Sequence, residues 1–324
     1  MILVWIGVSI LTFIIANIVP RDPVALRLGP KATPEAIAYW RNEYGLDQPY
    51  PVQFVKFLSG LLRGDLGNSV WSGRPVSRDL VDYLPATLEL SFFSLFLSIL
   101  LGIPLGVLAG TTSKKWLDSC IQIVSNFGLA FPLFWIGLVF QIIFYLRLGV
   151  LPFDSRVDLV VGPPDHITGF YILDSFINQD WSRLSDTLLH ILLPAFTLSI
   201  PAVSAIARMT RGSTLDILEK DYIRMARAKG VPRSLVIWKH VLRNSLLPVI
   251  TLAGNIFNSF LAGVFVVEVV FNWPGLGWYA TKVILAFDYG AIVSITLIIA
   301  IFCTVVNLIV DILYQFFDPR IQLT

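Results

Sequence analysis

Long apolar runs dominate the chain, and charged residues are concentrated in the stretches between them. Six runs are near or above the ~20 residues that a helix needs to cross the hydrocarbon core of a bilayer. Their polarity does not alternate, and lipid offers no water to pair with the backbone, so helices rather than barrel strands are predicted. The predicted spans are residues 2–19, 86–111, 119–146, 187–207, 245–270 and 289–314.

Prolines fall inside two of these predicted spans. Pro132 interrupts the third span, and Pro194 and Pro201 interrupt the fourth. A proline removes a backbone hydrogen bond, so we expect kinks whose freed carbonyls are satisfied by neighbouring helices or by water.

Composition supports a membrane protein. Of the 324 residues, 56% are hydrophobic and only 14% are charged, and the mean hydropathy is +0.74. This is more apolar side chain than one soluble core can bury. The fold class predicted is therefore all-α, a polytopic membrane protein with six transmembrane helices.

The loops between the spans differ in charge, which predicts the orientation. Residues 208–244 carry nine Lys and Arg against three acids, whereas residues 147–186 carry three against six. Positive charge stays inside, so the first loop is predicted to be cytoplasmic and the second to lie outside. Alternation then places Lys114, Lys115 and both termini in the cytoplasm. The alternative of a cleaved signal peptide is disfavoured, because no basic region precedes the first apolar run and "NIVPRDP" is a poor cleavage site.

These boundaries divide the chain into four parts. They are a first transmembrane helix at 1–20, an extracytoplasmic helical segment at 21–85, a five-helix core at 86–314 that includes the cytoplasmic loop 208–244, and a cytoplasmic tail at 315–324.

The outside segment contains two helix signatures. Thr33 is a predicted N-cap followed by Pro34 and Glu35 in the first turn, and Gly45 is the stop. A second helix is predicted from about Tyr50 to Leu62, with an apolar face. Whether these helices contact a ligand or form only a structural lid is open at this stage.

Residues 221–248, "DYIRMARAKGVPRSLVIWKHVLRNSLLP", form the most basic stretch of the chain. A helix is predicted from Ser213 as N-cap to a stop at Gly230, with Pro232 opening a second amphipathic helix. Its apolar face comprises Leu215, Leu218, Tyr222 and Met225, and its basic stripe comprises Lys220, Arg224 and Arg227.

The end of this helix has only small side chains at three positions, Ala226, Ala228 and Gly230, so its backbone is little covered. A bare turn at the cytoplasmic face would let another protein approach closely, which favours a docking surface. A helical positive-inside loop with no docking role is the alternative. Binding of nucleic acid by a helix-turn-helix is disfavoured, because spans tether the element on both sides and no phosphate-contacting arm is present.

Several motifs together resemble the membrane subunits of bacterial ATP-binding cassette importers, and specifically the B-type permeases of the dipeptide/oligopeptide family. "YIRMARAKG" followed by "HVLRNSLLPVI" is similar to the EAA motif of that family. Further matches along nearly the whole chain are "PRDPVALRLGPKATPE", "YGLDQPYPVQ", "LLRGDLGNS", "LPATLELS", "GIPLGVLAG", "LPAFTLSIP", "ARMTRGS", "GVFVVEVVFNWPGLG" and "VNLIVDILYQFFDPR".

The resemblance implies the type I importer permease fold and a coupling helix that seats in a cytoplasmic ATPase. The residues implied to couple are Asp221, Tyr222, Arg224, Ala226, Arg227, Ala228, Lys229 and Gly230. It also implies a second homologous permease subunit, two ATPase subunits, an extracytoplasmic substrate-binding protein and the bacterial inner membrane as surroundings. The chain itself would bind no cofactor, because ATP and Mg would lie on the partner subunits.

No nucleotide-binding loop of the type G-x-x-x-x-G-K-[ST] occurs in the sequence. "GIPLGVLAGTTSKK" has glycines and lysines but lacks the Gly-Lys-Ser/Thr run. The chain is therefore predicted to be non-catalytic, with energy supplied by a partner. No metal site is expected.

Three acids lie within predicted spans: Glu89, Glu268 and Asp311. Charges at such depth are costly and usually face a bundle interior or water, which makes these residues candidates for a pathway or gate. The favoured alternative is a hydrogen bond that packs helices or a side chain that snorkels from a span end, because all three acids lie near predicted span ends.

The turn "NWPGLG" at 272–277 joins the fifth and sixth predicted spans outside the membrane. Pro274 and Gly275 predict a sharp reversal, followed by Gly277, and Trp273 and Trp278 are predicted interfacial anchors. By the resemblance this turn reaches toward the binding protein or the pore mouth, although a plain re-entrant turn fits as well.

Two functions of different class remain at this point. The first is a translocation subunit of an ATP-driven peptide importer, and the second is a self-contained secondary transporter or channel powered by an ion gradient. The second predicts inverted repeats, broken helices and acids at the membrane centre. No clear internal repeat is present, which favours the importer subunit, with peptides the expected substrates.

Overall fold

The structure is a computed structural model that describes residues 5, 7, 8, 10, 11, 13, 14, 33–43, 47–112 and 114–317. This part of the chain is built from helices, and its one described bridge between extended segments joins Asn68 and Pro75. The helices are α1 (Pro34–Glu43), α2 (Tyr50–Leu62), α3 (Val76–Thr111), α4 (Lys115–Ala130), α5 (Leu133–Phe140) with a π-helical continuation (Gln141–Arg147), α6 (Tyr171–Ile177), α7 (Trp181–Leu218), α8 (Asp221–Ala228), α9 (Arg233–Leu235), a π-helical stretch (Val236–Val241), α10 (Leu242–Ser245), α11 (Leu247–Gly263), α12 (Phe265–Val270), α13 (Leu276–Leu285) and α14 (Tyr289–Phe317).

Three described helices are long and apolar enough to cross a membrane: Val76–Thr111, Trp181–Leu218 and Tyr289–Val310. Leu133–Arg147 and Leu247–Leu261 are shorter apolar helices that fall within the predicted third and fifth spans. The all-helical membrane class is confirmed. The count of six spans stays a prediction, and most of the first span lies outside the described residues.

The prolines act differently from one another. Pro132 ends α4 and starts α5, so the predicted third span consists of two helices. Pro194 and Pro201 instead lie inside α7, which continues through both of them over 38 residues. The helix is held across these sites by burial, since Ile191, Leu193 and Leu198 are almost completely covered.

The segment before the core confirms both predicted helix signatures. The Thr33 hydroxyl accepts a hydrogen bond from the backbone N–H of Ala36 at 3.2 Å, so Thr33 caps α1. The second helix, α2, has the predicted bounds. The stop at Gly45 lies outside the described residues.

Helices α3 and α7 form the centre of the bundle and run parallel. Three glycines one turn apart on α3 face α7, and a Cβ on Gly102 would stand 2.8 Å from Ile206 Cγ2. The same close approach brings Gly106 to Thr210 and Gly110 to Thr214. Small residues at every fourth position are how helices pack backbone to backbone in a membrane. The pairing places the C-terminal ends of α3 and α7 together on one side of the bundle.

The two ends of the bundle differ in chemistry. The basic end comprises residues 111–118 and 219–243, where α3 and α7 finish. The loop end comprises residues 148–180 and 271–288. Helices α11 and α12 connect the two ends, packing Phe260, Val264 and Val267 into the main apolar core beside α3 and α7.

Candidate functional site

The basic end presents one short helix, α8, followed by a tight turn. The predicted continuous helix from Ser213 to Gly230 is wrong, because α7 runs on to Leu218 and the chain turns at Lys220 before α8 begins. Ser213 therefore lies inside α7 and caps nothing. We call residues 221–230 the docking segment.

The docking segment closes in a well-formed helix end. The N–H of Gly230 donates to the Arg227 carbonyl at 3.0 Å, and the N–H of Val231 donates to the Ala226 carbonyl at 3.2 Å. This is the Schellman arrangement, which needs a residue in the left-handed region. Gly230 supplies it with φ = 75°, and nothing lies within 4 Å of the position a Cβ would take. Gly230 is thus required by the backbone turn, whereas sequence reasoning attributed it to close contact with a partner.

A small apolar cluster attaches the docking segment to the rest of the chain. Ile223 is fully buried against Val236 and Val241, and Ala226 packs at the edge of this cluster. The inward face of α8 therefore consists of Ile223 and Ala226, so the small size of Ala226 serves internal packing. The predicted apolar face is divided, since Leu215 and Leu218 belong to α7.

The outward face of the docking segment combines apolar and basic side chains. Tyr222 and Met225 are 45% and 59% exposed. Arg224, Arg227, Ala228 and Lys229 are exposed on the same element, as is Asp221, which lies 3.5 Å from Arg224. An exposed apolar patch with a basic rim is typical of a protein interaction site.

Two contacts at the basic end join the elements next to the docking segment. The Arg233 guanidinium donates to the Thr111 carbonyl at 2.6 Å, which joins the chain after the docking segment to the end of α3. Arg211 of α7 donates two hydrogen bonds of 2.6 Å to Asp118 of α4, a bidentate pair. Sequence reasoning missed both contacts, although Arg211 lies within the quoted motif "ARMTRGS".

At the loop end, Glu268 is fully buried on α12. One carboxylate oxygen accepts from the Thr87 hydroxyl at 2.6 Å, and the other accepts from the backbone N–H groups of Gly277 and Trp278 at 2.7 and 3.0 Å. Gly275 also lies against this carboxylate, where a Cβ would collide with it. The glycines of the 272–277 turn are there because the chain wraps around Glu268.

The same turn places its two tryptophans differently. Trp273 is fully buried and donates through Nε1 to the Ala86 carbonyl at 2.9 Å, so the predicted interfacial anchor is an interior residue. Trp278 is partly exposed, donates to Asn272 and lies under the Lys282 ammonium at 4.9 Å. Pro274 is half-buried beside them.

Glu89 forms a second buried carboxylate site. It pairs with the Arg156 guanidinium and accepts from the backbone N–H of Ile172 at 2.7 Å. The Arg156 side chain is 3% exposed and lies 3.5 Å above the Tyr171 ring. Helix α3 begins at Val76, ten residues before the predicted span, and Glu89 contacts the loop end of the bundle, so its position near a span end stays a prediction. Sequence analysis had no signal for Arg156, whose partner is 67 residues away.

Both carboxylates therefore fasten loops onto helices in the described conformation. Their roles as pathway or gate residues stay predictions. Asp311 lies in α14, and its side chain is outside the described residues.

Another acid at the loop end, Asp174, organises the segment before α6. It accepts from the backbone N–H groups of Thr168 and Gly169 at 2.8 and 2.9 Å and from the Thr168 hydroxyl at 2.6 Å. Burial works to raise the pKa of the Asp174 carboxyl, but these hydrogen bonds and a further one from Ile167 outweigh it and hold the pKa below its usual range.

Comparisons with known families agree along the chain. Residues 102–323 match the family described as binding-protein-dependent transport system inner membrane component. Residues 1–91 match the N-terminal family described for the same membrane components.

Individual proteins match over almost their whole length. The chain is 40% identical to the probable D,D-dipeptide transport system permease protein DdpB of Escherichia coli, covering 99% of this chain and 94% of that protein. It is 38% identical to the oligopeptide transport system permease protein AppB of Bacillus subtilis, covering 98% and 95%. Among solved structures, an inward-facing MetNI methionine ABC transporter matches with a TM-score of 0.56 at 16% identity, covering 74% of this chain and 95% of that one.

Proposed function

Because the chain belongs to the binding-protein-dependent transport system inner membrane component family, we propose that it forms the translocation path of an ATP-driven peptide importer. It is an integral inner-membrane protein and a transport permease component. The near full-length likeness to dipeptide and oligopeptide permeases supports this function over an ion-gradient-driven transporter or channel.

In this proposal the docking segment binds the ATPase and transmits the conformational change of the ATPase to this chain. The carrying observation is that Tyr222 and Met225 stand exposed on a helix whose inner face is locked by Ile223. An exposed apolar patch with basic neighbours suits a groove on a cytoplasmic ATPase. That ATPase binds ATP with Mg and hydrolyses the ATP, so no nucleotide is bound by this chain. The excess of Lys and Arg in 208–244 supports a cytoplasmic position for this end, with both termini on the same side.

The other partners follow from the same proposal. A second homologous permease subunit completes the path, two ATPase subunits drive it, and a binding protein delivers peptides to the loop end. Delivery by a separate protein means that substrate selection is not carried by this chain alone.

The test is co-purification of this chain with its partner permease and ATPase subunits. Met225→Asp places a charge in the exposed apolar patch without touching the Ile223 cluster, and it should abolish recovery of the ATPases. Leu285→Asp is the matched control, because Leu285 is 72% exposed at the opposite end of the bundle. Loss of the ATPases in both variants, or in neither, would contradict the docking assignment. Transport by the chain alone in liposomes without ATP would contradict the importer.

A further inference from the structure

Helix α11 exposes the wrong kind of side chain for contact with lipid. Among its described side chains, two are exposed, Asn255 and Ser259, and both are polar. The other described side chains of this helix are buried or half-buried. By contrast, the exposed large side chains in the membrane part of α3 are apolar, including Phe92, Phe96 and Leu100.

The polarity of this face continues around the helix. Asn258 donates to the Asn307 side chain of α14 at 2.6 Å, and Asn307 is itself exposed. The Asn258 carbonyl oxygen and the Thr251 hydroxyl are covered by neighbouring atoms and have no hydrogen-bond partner among the described residues. The exposed side chains of Asn255, Ser259 and Asn307 would be costly against hydrocarbon, so this face requires water or a polar ligand.

We propose that Asn255, Asn258, Ser259 and Asn307, here called the amide face, line the translocation path and hydrogen-bond the backbone of the transported peptide. This inference rests on the importer function proposed above and adds the site and the chemistry of recognition. An asparagine side chain carries both donors and an acceptor, as a peptide group does.

Spacing also fits an extended peptide. Residues four apart on a helix lie on one face and are separated by about 6 Å along its axis, which applies to Asn255 and Ser259. Peptide groups that point to the same side of an extended chain repeat at about 6.8 Å. Two neighbouring side chains of the amide face can therefore contact consecutive same-sided peptide groups.

The part of the amide face that lies on α11 carries no charge, since α11 contains no ionisable residue. Neutral contacts to the backbone do not read the side chains of the substrate, so peptides of different sequence are accepted alike. They also remain weak enough to release, which a conducting path requires.

The position of α11 connects this site to the docking segment. The chain passes from Gly230 through α9, the π-helical stretch and α10 directly into α11. Movement of the docking segment is transmitted along this route to the helix that bears the amide face.

The first test is labelling of single cysteines by a membrane-impermeant maleimide in the assembled transporter. Cys120 and Cys303 are first replaced by serine. Asn255→Cys should react, and a saturating dipeptide delivered by the binding protein should slow its reaction. Ile309→Cys is the matched control, since Ile309 is 51% exposed on an apolar face of α14 and should stay unreactive.

The second test is transport in proteoliposomes containing the complete complex. Asn255→Leu should lower the amount of peptide imported per ATP hydrolysed by roughly threefold to tenfold, the loss expected for one hydrogen bond. The reduction should be alike for dipeptides with different side chains. Ile309→Leu should leave this ratio unchanged.

Two results would overturn the amide face as a substrate path. One is that Asn255→Cys reacts with the maleimide in the isolated chain but not in the complex. This result would mean that the partner permease covers this face. The other is an unchanged transport ratio in Asn255→Leu combined with labelling that peptide does not slow. Failure of the importer function is separate, since it would appear as ATP-independent transport by the unaltered complex.

Discussion

Neutralising Glu89 tests the buried charge pair at the loop end. The Glu89 and Arg156 side chains are 5% and 3% exposed, and Arg156 also contacts the Gly169 carbonyl at 3.1 Å and the faces of Tyr171 and Trp273. Glu89→Gln keeps the side-chain shape but leaves the guanidinium buried without its paired carboxylate. Breaking a buried pair from one side costs about 3 to 5 kcal/mol.

The assay is thermal unfolding of the purified chain in detergent at one fixed scan rate. For a chain of this size the cost corresponds to a fall in Tm of roughly 4 to 7 °C. The double variant Glu89→Gln with Arg156→Gln removes both charges and should recover most of that loss. Arg183→Gln is the control, because its pair with Asp180 is partly exposed and contributes little. A Tm for Glu89→Gln within about 1 °C of the unaltered chain, or a double variant no better than the single one, would refute the reasoning.

Three further predictions concern local structure. The low pKa of Asp174 means that its contribution to stability is complete above pH ~4 and is lost as the pH falls through the folded-state pKa; limited proteolysis of the loop end between pH 2.5 and 5 should show this loss, and Asp174→Asn should abolish its pH dependence. Gly230→Ala should cost about 1 to 2 kcal/mol because φ is 75°, and Gly230→Asn less, measured by hydrogen exchange of the docking segment; equal protection in both would be evidence against the turn argument. Gly277→Ala should reduce the folded yield more than Gly275→Ala, because a Cβ on Gly277 meets the backbone of Phe265 whereas one on Gly275 meets a side chain; the reverse order in fluorescence size-exclusion chromatography would contradict this packing.

Local signals predicted the parts of the fold that local interactions decide. The cap at Thr33 and the helix Tyr50–Leu62 follow from residues within one or two turns, and both are present. The apolar runs predicted the membrane class because their length alone excludes other classes.

Long-range packing decided the positions where the sequence misled. Ser213 and Asp216 have the spacing of a helix start, but α7 passes through them because Thr214 is packed against Gly110. Trp273 lies inside because its indole N–H finds the Ala86 carbonyl 187 residues away.

The candidate site was predictable in location and less so in detail. Charge and small residues marked residues 221–230, whereas the division between the inward Ile223 and the outward Tyr222 needed the true start of α8. The amide face was not predicted from the apolar pattern. Asparagines within a long apolar run do not indicate whether their side chains point into the bundle or away from it.

Helix α7 runs unbroken for 38 residues, which is about 57 Å and nearly twice the thickness of a bilayer core. A helix that long behaves as a lever: a tilt of about 5° around its midpoint displaces each tip by about 2.5 Å in opposite directions. One tip adjoins the docking segment, and near the other Asp186 accepts from the backbone N–H of Asp158 at 2.8 Å. Because the two tips move in opposite directions, a displacement of the tip beside the docking segment would carry the loop that is tied to Asp186 the opposite way.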